Sequence, residues 1–178
     1  ARQVYTPRWA HCDDNHAWVE VFVDGEWHFL GACEPEEVLD TGWFSGPANR
    51  AILIHTRNFS DYVKESNEEY LGKEGALYYF NHTDFYGRTK LVKILVKDEN
   101  GKPAAGAHIA VEILNMAEFF PAAVMIADAD GEVRMTLGLG DIRVRAFDGI
   151  RRAEAMMRIE EEDSLELVLR EEAVPEAD

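Results

Sequence analysis

From Thr89 onward the chain repeats one pattern: a short run of alternating apolar and polar residues, then a tight turn carrying glycine. Segments 91–97, 108–114, 132–137, 141–147, a run ending at Met157, and 165–169 are separated by turn signals. The turns are Asp98-Glu-Asn-Gly101, Asp128-Ala-Asp-Gly131, Gly138-Leu-Gly140 and Asp148-Gly149. Period-two alternation buries one side of a strand, and Asn-Gly or Asp-Gly supplies the positive φ that a tight hairpin requires. Such strands, recurring about every eight to twelve residues, predict an antiparallel β-sandwich. The fold class predicted for the whole chain is therefore mainly β.

The first part of the chain is also β in texture. His16-Ala-Trp-Val-Glu-Val-Phe-Val23 is rich in β-branched and aromatic residues, Asp24-Gly25 reads as a two-residue turn, and Glu26-Trp-His-Phe-Leu30 resumes the strand. That turn would pair Val23 with Glu26, set Trp18 opposite Gly31, and set His16 opposite Cys33. Alternation puts His16, Trp18, Glu20 and Phe22 on one face. Residues 50–56 predict a further strand. Residues 57–88 mix charge, aromatics and glycines and read as a connecting region, with a short helix near 61–70. The expected division is 1–88, then a sandwich over 89–172, then a flexible acidic tail over 173–178.

The 178 residues are 47% hydrophobic, enough to bury a core, and the formal net charge is -16. A surface this negative repels phosphate backbones and anionic lipid heads, so neither nucleic acid nor a membrane surface is an expected partner. No run approaches the roughly 18 apolar residues that a bilayer-spanning helix needs. The start, Ala1-Arg2-Gln3-Val4-Tyr5, lacks the pattern of a secretion signal and already resembles a strand, so the chain is expected to belong to a longer protein. The two cysteines, Cys12 and Cys33, form no Cys-x-x-Cys motif; they could pair, bind a metal or stay free.

Three groups could carry chemistry. His16 opens a strand beside Asp13 and Asp14, and an imidazole titrating near neutrality can take a proton from a nucleophile; a histidine among tryptophans can equally be a packing residue. His11, Cys12, Asp13, Asp14, His16 and Cys33 are all types that ligate metals, but their spacing matches no regular zinc motif. Cys33 opposite His16 would make a thiol–imidazole pair, yet a mid-sheet cysteine lacks a helix N-terminus to stabilise thiolate. No cofactor is called for, and no metal is assigned.

His16-Ala-Trp-Val-Glu-Val, followed by Gly25-Glu-Trp27, resembles the transglutaminase-like superfamily of transglutaminases, peptide N-glycanases and related bacterial proteases. Residues 27–34 with Trp43 resemble the N-glycanase branch. The stretch from Tyr5-Thr-Pro-Arg-Trp to Trp18, with Leu30-Gly-Ala-Cys-Glu-Pro35, resembles large bacterial proteins in which such a core precedes sandwich modules. Asn115-Met-Ala-Glu-Phe-Phe-Pro121 resembles a segment of those modules, and the sandwich is similar to carboxypeptidase-regulatory or transthyretin-like domains. The resemblance covers most of the chain, more strongly over residues 5–56.

It implies that His16 is a general base acting with a cysteine on a helix encoded before Ala1. It implies an aspartate near position 31, where this chain has Gly31, with Glu34 or Asp14 as the substitute. Catalytic roles are thus expected at His16 and Glu34, and substrate contacts at Trp18 and Trp43. The implied substrate is a protein, peptide or glycopeptide, in an extracellular or cell-envelope setting. The alternative is a non-catalytic scaffold that binds peptide or glycan through Trp9, Trp43, Phe44, Tyr78, Tyr79, Phe85 and Tyr86, against which stands a simple packing role for these rings. Without helices over it, one face of the first sheet should be apolar and open to self-association.

Overall fold

The computed structural model describes residues 1–59 and 68–171. The expected tail over 173–178 lies outside these residues, as does most of the helix expected near 61–70.

The first part is one six-stranded sheet flanked by two short helices. Its elements are β1 (Arg2–Thr6), β2 (His16–Val23), β3 (Glu26–Leu30), α1 (Ser45–Ala48), β4 (His55–Phe59), β5 (Glu69–Glu74), β6 (Leu77–Asn81) and α2 (Thr83–Tyr86). The spatial order is β3-β2-β1-β4-β6-β5, every neighbour antiparallel. Asp24 and Gly25 both take positive φ, and Val23 pairs with Glu26, so the turn chemistry sets the β2–β3 register as expected. Pairing stops at Val19–Leu30, however. Beyond it the chain leaves the sheet and returns along β3, where Asp40 Oδ1 accepts from the Phe29 amide and the Asp40 amide donates back to Phe29 O. Trp18 and Gly31, and His16 and Cys33, are consequently not strand partners.

Two further expectations are corrected. Residues 51–54 are not strand: they are a fully buried connector, and the strand begins at His55. A continuous apolar run marks burial but not backbone geometry. The connector's polar groups are met from outside any ladder, with Thr6 Oγ1 on Leu53 O, the Gly138 amide on Ile52 O, and Thr83 Oγ1 on the Ile54 backbone. Residues 69–81, read as connecting chain, form the β5–β6 hairpin around Gly75 (φ +57). A bulge between Tyr70 and Gly72 breaks the alternation that would have announced it.

The second part comprises β7 (Thr89–Lys97), β8 (His108–Asn115), β9 (Glu118–Ile126), β10 (Glu132–Gly138), β11 (Asp141–Phe147), β12 (Arg151–Arg158), β13 (Ser164–Val168) and β14 (Arg170–Glu171). These form two sheets, β10-β7-β13 and β14-β12-β11-β8-β9. Ile94, Val96, Ile109, Val111, Met135, Leu137, Ile142, Val144 and Leu169 fill the space between them. The architecture is the expected β-sandwich, with one departure: β13 runs parallel to β7. β9 had no sequence signal, because its entry turn uses Met116 (φ 52) and Ala117 (φ 62) rather than glycine and Pro121 interrupts the run.

The two parts share a core. Ile52 and Leu53 pack with the sandwich cluster, and Gly138 meets the connector so closely that a Cβ there would lie 1.8 Å from Ala51 O. Asn81 Nδ2 donates to Thr136 O, and Glu69 accepts from the Thr136 amide. Alternation gives the first sheet two unlike faces. The face with Val4 and Trp18 is buried beneath Trp9, Phe44, Ala48 and Tyr86. The other carries Val19, Val21, Leu30 and Leu77 half-buried and Phe59 exposed, with Arg57 and His28 among them.

Candidate functional site

His16 opens β2, pairs with Thr6, and sits at the rim of the buried face. Four rings surround it. Trp43 meets the imidazole edge-on at 4.6 Å between centroids, Phe44 lies at 5.1 Å, Trp18 at 5.7 Å, and Trp9 is stacked at 6.2 Å. Trp9 and Trp18 are themselves parallel within 2° at 6.3 Å. These walls remove water from much of the imidazole, and burial is the main reason its pKa falls below the ordinary histidine value. The carboxylate of Glu34 acts in the opposite direction, favouring the charged ring. A lowered pKa leaves His16 neutral at neutral pH, ready to accept a proton, and Glu34 would stabilise the imidazolium so formed.

The wall behind His16 is anchored by a buried polar network. Trp18 Nε1 donates to Tyr86 Oη at 2.8 Å, and Tyr86 Oη donates to Glu20 Oε1 at 2.5 Å. Glu20, wholly buried, also receives Arg2 Nε at 2.7 Å, while Arg2 Nη1 reaches Glu68 at 2.6 Å and its guanidinium lies 3.9 Å over Trp27. His82 Nε2 approaches Glu20 Oε1 at 3.4 Å. Burial, reinforced by the Glu20 charge, raises the Tyr86 pKa, so the phenol stays protonated and keeps donating. A carboxylate in a dry interior is tolerable only when its acceptors are filled, and here both oxygens are. Trp18 is thereby held in orientation as well as packed.

The structure brings together His16, Trp18 and Trp43, and sets Glu34 within electrostatic reach of the imidazole. It does not bring in the thiols. Cys12 and Cys33 are both free, Cys33 is exposed, and among the described residues neither sulfur hydrogen-bonds to His16. The cluster weighed as a metal site is not assembled: among the described residues no three His, Cys, Asp or Glu side chains converge for an ion, and Asp14 is engaged by Arg8 and Asn15. At position 31 a Cβ would lie 2.5 Å from the Glu34 carbonyl oxygen, so the tight turn there demands glycine. The chain bends back at Gly31, and the Glu34 charge beyond that bend acts on His16.

Of the rings weighed as ligand-binding, Trp9, Phe44 and Tyr86 are buried, whereas Trp43 (58% exposed) and Phe85 (44%) present surface. The buried rings therefore pack, because the 7–15 loop, the start of α1 and the end of α2 fold over the β2 face, a placement that periodicity does not encode. Arg2 and His82 escaped notice for the same cause. One hint existed: Glu20, a charge in the middle of an apolar strand face, requires a buried partner. No family model matches the chain, and no curated protein matches it.

Proposed function

We propose that His16 is the general base of a cysteine-dependent acyl-transfer site acting on amide bonds of proteins or glycopeptides. The thiol would come from a segment other than the residues described. The observation that carries this reading is the imidazole itself, set at the rim of an aromatic enclosure that keeps it neutral, with Glu34 placed to stabilise its protonated form. The resemblance of His16-x-Trp-x-Glu20 to the transglutaminase-like motif supports the same assignment. In this scheme the neutral ring takes the thiol proton, the thiolate attacks the acyl carbon, and the imidazolium returns the proton to the leaving amine. Glu34 stands in for the aspartate through its charge, which favours the imidazolium. The test is amide hydrolysis or transfer by the protein extended through its preceding coding sequence. His16→Ala should lower the rate by roughly a hundredfold to ten-thousandfold, and Glu34→Gln by less. Undiminished activity in His16→Ala would sink the assignment.

A second reading rests on Trp43, whose 58% exposure beside His16 suits stacking on a sugar or a peptide side chain. As a binding module the chain would lose glycopeptide affinity in Trp43→Ala and retain it in His16→Ala. The catalytic reading expects the second variant to be the damaging one. The face with exposed Phe59 and half-buried Val19, Leu30 and Leu77 would support self-association of the same chain, measurable as a concentration-dependent sedimentation coefficient.

A further inference from the structure

Trp9 forms one wall of the His16 enclosure, yet it lies in no strand or helix. Residues 7–15 are irregular chain between β1 and β2, and what fixes them comes from the sandwich. Asn115, the last residue of β8, is buried with its amide turned onto this loop. Its Nδ2 donates to Trp9 O at 2.9 Å and to Cys12 O at 2.7 Å, and its Oδ1 accepts from the Asp14 amide at 3.1 Å. Both donors and one acceptor position are thereby used. The Trp9 amide closes the loop on Asp14 O at 3.1 Å, and Arg8 lies 4.1 Å over the Phe120 ring of β9. Asp14, two residues before His16, sits at φ 68, in the left-handed region that aspartate tolerates better than most residues. The hairpin bearing Asn115 turns through Met116 and Ala117, both left-handed without being glycine. Such a turn costs free energy and persists only where surrounding contacts fix the hairpin's geometry.

We infer that Asn115 is a positioning residue for His16: through Trp9, Cys12 and Asp14 it makes the sandwich a structural wall of the candidate site rather than a spacer. The inference rests on the reading of His16 as a working imidazole. It adds that a shift of the β8–β9 hairpin relative to the first sheet would open the Trp9 wall and admit water to the ring.

The test is the histidine titration of the 178-residue chain by NMR, in Asn115→Ala, Asn115→Asp and, as a control at the same hairpin, Met116→Gly. Asn115→Ala should keep a dispersed, folded spectrum, lose the Trp9 ring-current shift on His16, and move the His16 titration upward, on the order of half a pH unit, as desolvation is relieved. Asn115→Asp retains the acceptor for the Asp14 amide but lacks both donors and adds a negative charge, so it should lose the same ring-current shift and move the His16 titration upward at least as far as alanine does. Met116→Gly removes a strained residue and leaves Asn115 in place, and His16 should not move. A folded Asn115→Ala protein with an unaltered His16 titration would overturn the inference, as would an equal shift in Met116→Gly. Should Asn115→Ala not fold, amide exchange of the unsubstituted protein decides: the Asp14 amide should be protected along with β8, and free exchange there would refute the role. Failure of the acyl-transfer reading would appear in the activity of His16 variants and would leave these readouts unchanged.

Discussion

Acid should destabilise this protein through His55, and the size of the effect follows from where that residue lies. His55 opens β4, is 6% exposed, and is held between the rings of Tyr5 (5.6 Å) and Tyr79 (5.3 Å). It borders a crevice of about 290 Å³ with Leu53, Leu71 and Ala123. Among the described residues its Nδ1 has no hydrogen-bond partner of acceptable geometry. Burial first, and the Arg57 charge second, push its pKa from 6.5 down to about 4, against a small raising influence from the Thr56 backbone. In the unfolded chain the imidazole binds its proton near 6.5; in the folded chain it resists until about 4. Between those values the unfolded state holds more protons, so the contribution of neutral His55 is complete above the unfolded pKa and declines as pH falls. With those two pKa values the loss is about 2 kcal/mol by pH 5 and about 3 kcal/mol at pH 4. That is a large part of the roughly 5–15 kcal/mol that holds a typical domain folded. His55→Phe keeps a ring between the two tyrosines and deletes the titration. Urea unfolding at a series of pH values should show the wild type losing about 2 kcal/mol more than His55→Phe between pH 7.5 and 5. Parallel stability curves for the two proteins would refute the burial argument, whatever the absolute stabilities.

Three further outcomes are expected. Glu20→Gln leaves the buried Arg2 guanidinium without its fully buried counter-charge, with Glu68 as partial compensation, and should cost about 3 kcal/mol in urea unfolding together with a change in Trp18 emission. Gly138→Ala drives a Cβ against the Ala51 carbonyl and should cost at least about 2 kcal/mol, because backbone must move. Gly46→Ala, which meets nothing within 4 Å, should instead be neutral or stabilising by up to about 1 kcal/mol.

Local chemistry wrote much of the fold into the chain. Asp24-Gly25 turned β2 into β3 in the expected register, and the Asp-Gly and Asn-Gly turns after Thr89 punctuated the sandwich, because positive φ is chiefly glycine's province. His16, Trp18 and Glu20 shared a face because side chains alternate along any strand. Tertiary structure decided where local rules are silent. The apolar run at 51–54 became a connector because partners elsewhere satisfied its backbone. Met116 and Ala117 took a turn that nothing in their side chains favours. The Glu34 charge came to act on His16 because the chain left the sheet after Leu30. Asn115, a hundred residues on in the chain, came to hold the loop that carries Trp9. Turn propensity and alternation act over a few neighbouring residues and can be read from them. The protonation state of an imidazole depends on the water excluded around it, and that is set by rings and amides brought from distant parts of the chain.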